Sequence, residues 1–269
     1  MDVHLVEALR APGAWPHPVG DVRLLETHIS WVFLTGDYAY KIKKPVNFGF
    51  LDFSSLDRRK HCCDEELRLN VRLAPDIYLD VVPVTDGTPA VGGEGRVLDY
   101  AVKMRQFDVD SGFDRLVERG ELSAGHIDQA AEVLAAFHDG AAVAEPGSAF
   151  GNAGAVAAPV LENFEQVRQL IDAQRPDLRS LFDLLERWSA GACERFAGDF
   201  ERRLADGFVR ECHGDLHLRN IVYWQGKVLP FDCIEFNESL RWIDVASEMA
   251  FLLMDLDDHG RRDLSRRLL

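Results

Sequence analysis

The stretch from His213 to Phe236 restricts the fold of this chain more than any other. Two short apolar runs, Ile221-Val222-Tyr223-Trp224 and Val228-Leu229-Pro230-Phe231, flank Gln225-Gly226-Lys227, a pattern that predicts a tight β-hairpin. Asp215 precedes the first run in a loop, Asn220 opens that run, and Asp232 closes the second. Closing the hairpin sets Asn220 beside Asp232. A carboxylate and an amide oxygen on neighbouring strand ends suit Mg²⁺, a hard cation that prefers oxygen ligands. Asp215 is then left to face a hydroxyl group and accept its proton.

The remaining sequence changes texture near Gln106 and Phe107. Before that point, a weak helix signal spans Val3 to Leu9. A second hairpin is predicted from Ser30 to Thr35 and Tyr38 to Lys43 around Gly36-Asp37. Ser54 or Ser55 caps a predicted helix that runs to Arg72, with an apolar stripe of Leu56, Cys63, Leu67 and Val71. Strands follow at Ile77 to Val84 and Val97 to Phe107. Beyond the boundary, helices are predicted at Gly112 to Arg119, His126 to His138, Leu161 to Ala173, Leu178 to Arg203 and Ile243 to Leu256. The Ala-, Gly- and Pro-rich stretch from Gly140 to Pro159 reads as a linker.

Composition narrows the partners. There are 45 Asp and Glu against 30 Lys and Arg, a net charge of −15. That balance argues against nucleic acid or an anionic membrane, because phosphate binding needs a basic face. It is compatible with a cationic substrate. The cysteines at 62, 63, 193, 212 and 233 have neither CxxC nor metal-ligand spacing, as expected of free thiols in a reducing compartment. With no signal-peptide core and no membrane-length apolar run, the expected location is the cytoplasm.

His213-Gly214-Asp215-Leu216-His217-Leu218-Arg219-Asn220, followed by Pro230-Phe231-Asp232-Cys233-Ile234-Glu235-Phe236, resembles the Brenner-type motif of the aminoglycoside phosphotransferase (choline kinase-like) family. That family lies within the protein-kinase-like superfamily, and the motif parallels H-R-D-x-x-x-x-N followed by D-F-G. The likeness extends from Thr27 to Leu256. It implies a bilobal α+β fold. Residues 1–106 would form an N-lobe with an antiparallel sheet and one long helix, and residues 107–269 a mainly helical C-lobe carrying the catalytic hairpin. It also implies transfer of a phosphoryl group from ATP, with Mg²⁺, to a hydroxylated small molecule such as a sugar, amino sugar or aminoglycoside-like compound. Asp215 takes the catalytic position, and Asn220 and Asp232 take the metal positions. A pseudokinase, a nucleotide-binding regulatory module, is the alternative; the intact Asp215, Asn220 and Asp232 argue against it.

The same likeness assigns further residues. Tyr38-Ala39-Tyr40-Lys41 resembles the V-A-I-K strand, with Lys41 on the nucleotide phosphates. Lys43 shares its face of the strand, so the choice between the two stays open. Glu66 is the expected ion-pair partner of this lysine. No G-x-G-x-x-G precedes the hairpin; Glu26 to Ser30 occupies that place, and Thr27 and Ser30 are the phosphate-side candidates. Met104, Gln106 and Phe107 resemble the hinge that contacts adenine. His217 is expected near the γ-phosphate, His213 under the loop, and Asp244 either as the prop of the catalytic loop or as a plain helix N-terminal acid. Glu235 and Glu238 read as exposed loop carboxylates. Cys212 and Cys233 read as buried packing residues. Tyr40 to Pro45 and Phe50 to Ser54 resemble a bacterial subgroup whose members often carry a second, P-loop kinase domain. This sequence has no G-x-x-x-x-G-K-[ST] for such a domain, and it ends in a helical stretch, as a short member or a truncated form would.

Overall fold

Alternating side chains of opposite character in Tyr38-Ala39-Tyr40-Lys41-Ile42-Lys43 force one strand face inward and leave the other for chemistry. The structure, a computed structural model, describes residues 3–49 and 51–269; Phe50, in the Phe50-to-Ser54 run, lies outside the described residues. Two compact units partition the chain. One comprises Met1–Phe137, Asp215–Glu238 and Phe251–Leu269, the other His138–Gly214 and Ser239–Ala250.

The first unit holds helix α1 (Val3–Ala8) and strands β1 (Arg23–Glu26), β2 (Ser30–Leu34), β3 (Tyr38–Lys43), β4 (Tyr78–Thr85) and β5 (Val97–Arg105). They form an antiparallel sheet in the order β1-β2-β3-β5-β4. The predicted hairpin is the β2–β3 pair, with Ser30 opposite Lys43, Leu34 opposite Ala39, and Gly36 in the turn at φ 100°. On one face, Tyr40 and Ile42 are buried with Leu9, Trp15 and Phe33. On the other, Ala39 and Val102 pack with Cys63 and Ile77 and with Val222 and Leu229 of the second hairpin. Strand β6 (Val209–Glu211) precedes it in the chain, and the hairpin itself is formed by β7 (Ile221–Trp224) and β8 (Lys227–Pro230), as expected.

Helix α2 (Leu56–Asn70) starts at Ser55, whose side chain accepts a hydrogen bond from the Arg58 N–H at 3.3 Å. Its buried face differs from the expected stripe. Arg59, Cys62, Cys63, Glu66, Leu69 and Asn70 are buried, while Leu67 is half-buried and Val71 exposed. The apolar pattern pointed about one position round the helix because the inner face carries charge. Arg59 is paired with buried Asp99 of β5 at 2.9 Å and donates to the Phe53 carbonyl at 3.0 Å. The unit also holds α3 (Phe113–Glu118), most of α4 (Ala124–Gly140) and α9 (Arg262–Leu268). In α4 the buried positions Ile127, Ala130, Leu134 and Phe137 are the predicted stripe.

In the second unit α5 (Ala153–Gln174) packs on α6 (Arg179–Ala205), with Phe164 and Phe182 in edge contact. Helix α5 begins well before Leu161, inside the stretch read as a linker. Asn152 caps it by accepting from the Ala155 N–H at 2.9 Å, and alanine-rich sequence carries the helix through Pro159. The predicted helix from Ile243 is also divided. After the short α7 (Glu238–Arg241), residues Trp242–Asp244 form β9, paired with β6, and α8 (Val245–Asp258) follows. Among the described residues, no helix is long and apolar enough to cross a membrane.

Candidate active site

Strand β3 delivers Lys41 and Lys43 to the same face, and the two lysines have different surroundings. Lys41 lines a cavity of about 320 Å³ and its side chain is 12% exposed; Lys43 is fully buried. Lys41 Nζ lies 2.5 Å from Asp232 Oδ1 and 2.8 Å from Glu66 Oε1. The second contact is a charge pair without hydrogen-bond alignment, since Glu66 Oε1 has no hydrogen-bond donor. Lys43 Nζ donates to Glu66 Oε2 at 2.7 Å and to Glu235. The result is one line of alternating charge, Asp232–Lys41–Glu66–Lys43–Glu235. Burial works against the ammonium of Lys41, but Asp232, then Glu66 and Glu235, outweigh it and hold the group well above the ordinary lysine range. Burial likewise opposes Lys43, and Glu235 and Glu66 raise it.

Sequence reasoning left Lys41 and Lys43 open, and only Lys41 faces the cavity. Glu66 is the lysine partner that was expected, shared by both. Glu235 is a correction: it is buried against Lys43 rather than exposed, because an unpaired lysine at this depth would be too costly. Glu238 is exposed, at the start of α7.

Asp232 follows β8 and is 42% exposed. Its φ of 66° is a left-handed conformation that non-glycine residues rarely hold, and such strain concentrates at functional sites. Neighbouring bonds clamp it there: its N–H donates to the Tyr78 hydroxyl at 3.2 Å, and the next N–H, of buried Cys233, to Asn70 Oδ1 at 2.9 Å. Burial and then Asp232 push the Tyr78 phenol well above its ordinary value, so it stays protonated. Asn220 is anchored across the hairpin, its carbonyl accepting from the Phe231 N–H at 2.9 Å. Its Nδ2 donates to Asp215, at 2.9 Å to the carbonyl and 3.1 Å to Oδ2. This turns the amide nitrogen toward Asp215 and leaves Asn220 Oδ1 as the oxygen able to meet a cation. With the Asp232 carboxylate, it makes an all-oxygen donor pair that fits Mg²⁺.

Of the expected hinge, Met104, Gln106 and Phe107 all line the cavity, with Phe107 and Phe231 in edge contact at 5.1 Å. The N–H groups of Arg105 and Gln106 are already given to the Ile77 and Asp37 carbonyls. Ser30 is a correction. It is fully buried at the register position opposite Lys43, beyond the cavity, and Thr27 lines the cavity instead. Thr27 Oγ1 accepts from the Ser30 N–H at 2.9 Å and so shapes the turn. His217 lies beside Asp215. Its Nδ1 accepts from the Arg219 N–H and its Nε2 is 3.4 Å from Asp215 Oδ2, so the ring lines a different cavity, of about 430 Å³, with Phe251, Met254, Asp255 and Asp258. Asp255 accepts from the Leu218 N–H at 2.8 Å. The hydrogen bond with Asp215 raises the His217 imidazole above its ordinary value, against burial.

In the second unit, the bonds expected of Asp244 are made by Glu248. Its Oε2 accepts from the N–H groups of His213 at 2.7 Å and Gly214 at 2.8 Å, and its Oε1 meets His138 Nε2 at 2.9 Å. Asp244 instead pairs with Arg203 at 2.5 and 2.8 Å and accepts from the Ala246 N–H. The sequence signal for Glu248 was its place one helical turn inside α8, four residues beyond Asp244. Gly214, at φ 89°, admits no side chain: a Cβ there would lie 2.8 Å from the Leu240 carbonyl oxygen. His213, Cys212 and Cys233 are fully buried, as predicted.

No family model matches the chain. Uncharacterized proteins of Mycobacterium tuberculosis and Mycobacterium bovis are each 34% identical to it over 253 residues, which is 92% of this chain and 49% of theirs. The chain thus spans about half the length of the curated relatives it matches. Among solved structures, a choline/ethanolamine kinase family protein from Mesorhizobium loti matches 98% of this chain and 74% of its own, at 17% identity and a TM-score of 0.50. At that identity the likeness is one of fold: the antiparallel sheet and helices of this chain follow the α+β architecture of a choline/ethanolamine kinase family protein.

Proposed function

We propose that this chain is an ATP- and Mg²⁺-dependent phosphotransferase acting on the hydroxyl group of a small molecule, in the sugar, amino sugar or aminoglycoside-like range. The observation that carries this reading is the line of charge that ends in the cavity, Glu66–Lys41–Asp232, with Asn220 and Asp215 on the adjoining hairpin and loop. In this reading residues 1–106 are the nucleotide lobe and 107–269 the acceptor lobe of a bilobal kinase-like fold.

The apolar walls of the first cavity, Val32, Leu34, Ala39, Met104 and Phe231, suit a purine, and Lys41 stands beside Asp232 where phosphates need a cation. Mg²⁺, when bound, would neutralise charge on the transferred group, held by Asp232 and Asn220. Asp215 accepts the acceptor's hydroxyl proton, and Asn220 Nδ2 and His217 orient its carboxylate. The second cavity, beside His217, is the acceptor side. Asp255 and Asp258 with Phe251 favour a cationic, partly apolar acceptor there.

Asp215→Ala and Asp232→Ala, tested by ATP consumption over a panel of sugars and amino alcohols, should each lower turnover by about two to three orders of magnitude. Turnover that survives both substitutions removes the mechanism.

A further inference from the structure

Arg219 is the residue of the His213–Asn220 segment that no role described so far uses. It lines both of the cavities described above, the one containing Lys41 and Asp232 and the one containing His217 and Asp255. Its guanidinium is exposed and, among the described residues, has no ion-pair or hydrogen-bond partner. Several other arginines do sit on carboxylates, among them Arg203 on Asp244, Arg241 on Glu211 and Arg267 on Asp128. Carboxylates line the same two cavities as Arg219, Asp114 and Asp232 in one and Asp255 and Asp258 in the other, yet none is paired with it.

The backbone of this residue is fixed although its side chain is not held. The Arg219 N–H donates to His217 Nδ1 at 3.2 Å, and the next residue, Asn220, is tied to Asp215 and across the hairpin to Phe231. A rigid backbone thus presents a free, planar, permanently charged fork at the place common to both cavities. A guanidinium of this kind matches the oxygens of a phosphoryl group, which it can meet with two parallel hydrogen bonds.

We propose that Arg219 is a catalytic residue that binds the terminal phosphoryl group of the nucleotide as it passes from the first cavity to the second. This rests on the phosphotransferase reading. In the transfer, the acceptor oxygen forms its bond to phosphorus as the bond from phosphorus to the departing ADP oxygen breaks. The hydroxyl proton goes to Asp215. Arg219 neither gains nor loses a proton; it offsets charge on the oxygens in transit.

The test needs no knowledge of the acceptor. Binding of Mg·ADP and of the non-hydrolysable Mg·AMPPNP to the full chain is measured by calorimetry for the wild type, Arg219→Ala and Arg219→Lys. Arg219→Ala should weaken AMPPNP by about ten- to a hundredfold and leave ADP within about twofold, because the lost hydrogen bonds are charge-assisted and reach only the terminal phosphate. Arg219→Lys should fall between, keeping the charge and losing the fork. Thermal unfolding of both variants should match the wild type, since the side chain holds no partner in the fold. Equal weakening of both nucleotides, or of neither, overturns the assignment while leaving the phosphotransferase reading intact. A wild type that binds neither nucleotide overturns both.

Discussion

Two glutamates, one in each unit, are buried to almost the same degree and held by different partners. Glu66 of α2 sits between two lysines, and its neighbours Asp232 and Glu235 extend the line of charge. Glu248 of α8 accepts from two backbone N–H groups and faces one histidine. Full cations around a buried carboxylate fix side chains against one another; N–H groups around one fix the path of a loop. In the first arrangement, removing Glu66 leaves each buried lysine with one counter-charge in place of two. In the second, the backbone partners are neutral dipoles, and for them the loss is confined to the hydrogen bonds themselves.

The sharpest test of that contrast is Glu66→Ala. It leaves Lys41 with Asp232 alone and the fully buried Lys43 with Glu235 alone, and breaking one partner of a buried ion pair costs about 3 to 5 kcal/mol. Urea denaturation should show a loss of that size. A loss under about 1 kcal/mol would mean that the charges are solvated and the line contributes little to the fold.

Glu248→Gln should cost less, about 1.5 to 3 kcal/mol, the difference between charge-assisted and neutral acceptors at the His213 and Gly214 N–H groups. Hydrogen exchange offers a local readout. Protection of those two amides should fall in Glu248→Gln and stay unchanged in Asp244→Asn, whose parent carboxylate is engaged by Arg203. The reverse pattern would return the propping role to Asp244.

What the sequence made legible follows the same division. Period-two alternation in Tyr38 to Lys43 placed both hairpin strands and the two lysines, and the apolar runs at 221–224 and 228–231 placed Asn220 and Asp232. Local pattern suffices there because the side chains stand on regular strands. It failed where burial runs against residue type. Arg59, Glu66 and Asn70 occupy the inner face of α2 because Asp99, the lysines and Cys233 satisfy them, and each of those partners is distant in sequence. Glu235 was misread as exposed for the same reason. Glu248 was missed because β9 breaks the expected helix at Asp244 and moves the inward-facing acid one turn on. The start of α5 was misplaced because a capping asparagine and alanines outweighed Pro159, which a sequence reading treats as a terminator.

The smallest expected effect separates the two glutamates by their response to alkali. The folded values of Lys41 and Lys43 are raised, so their pairing with Glu66 stabilises fully below the ordinary lysine value of about 10.4 and is lost as pH rises from there through the folded values. The partners of Glu248 at His213 and Gly214 are backbone N–H groups with no proton to give up in this range. The stability gap between wild type and Glu66→Gln should therefore hold steady from about pH 8 to about pH 10 and narrow above that. The gap for Glu248→Gln should stay flat over the same interval. Parallel gaps, both flat or both narrowing, would show that the lysines do not supply the difference, and that the two buried carboxylates are held by the same kind of bond.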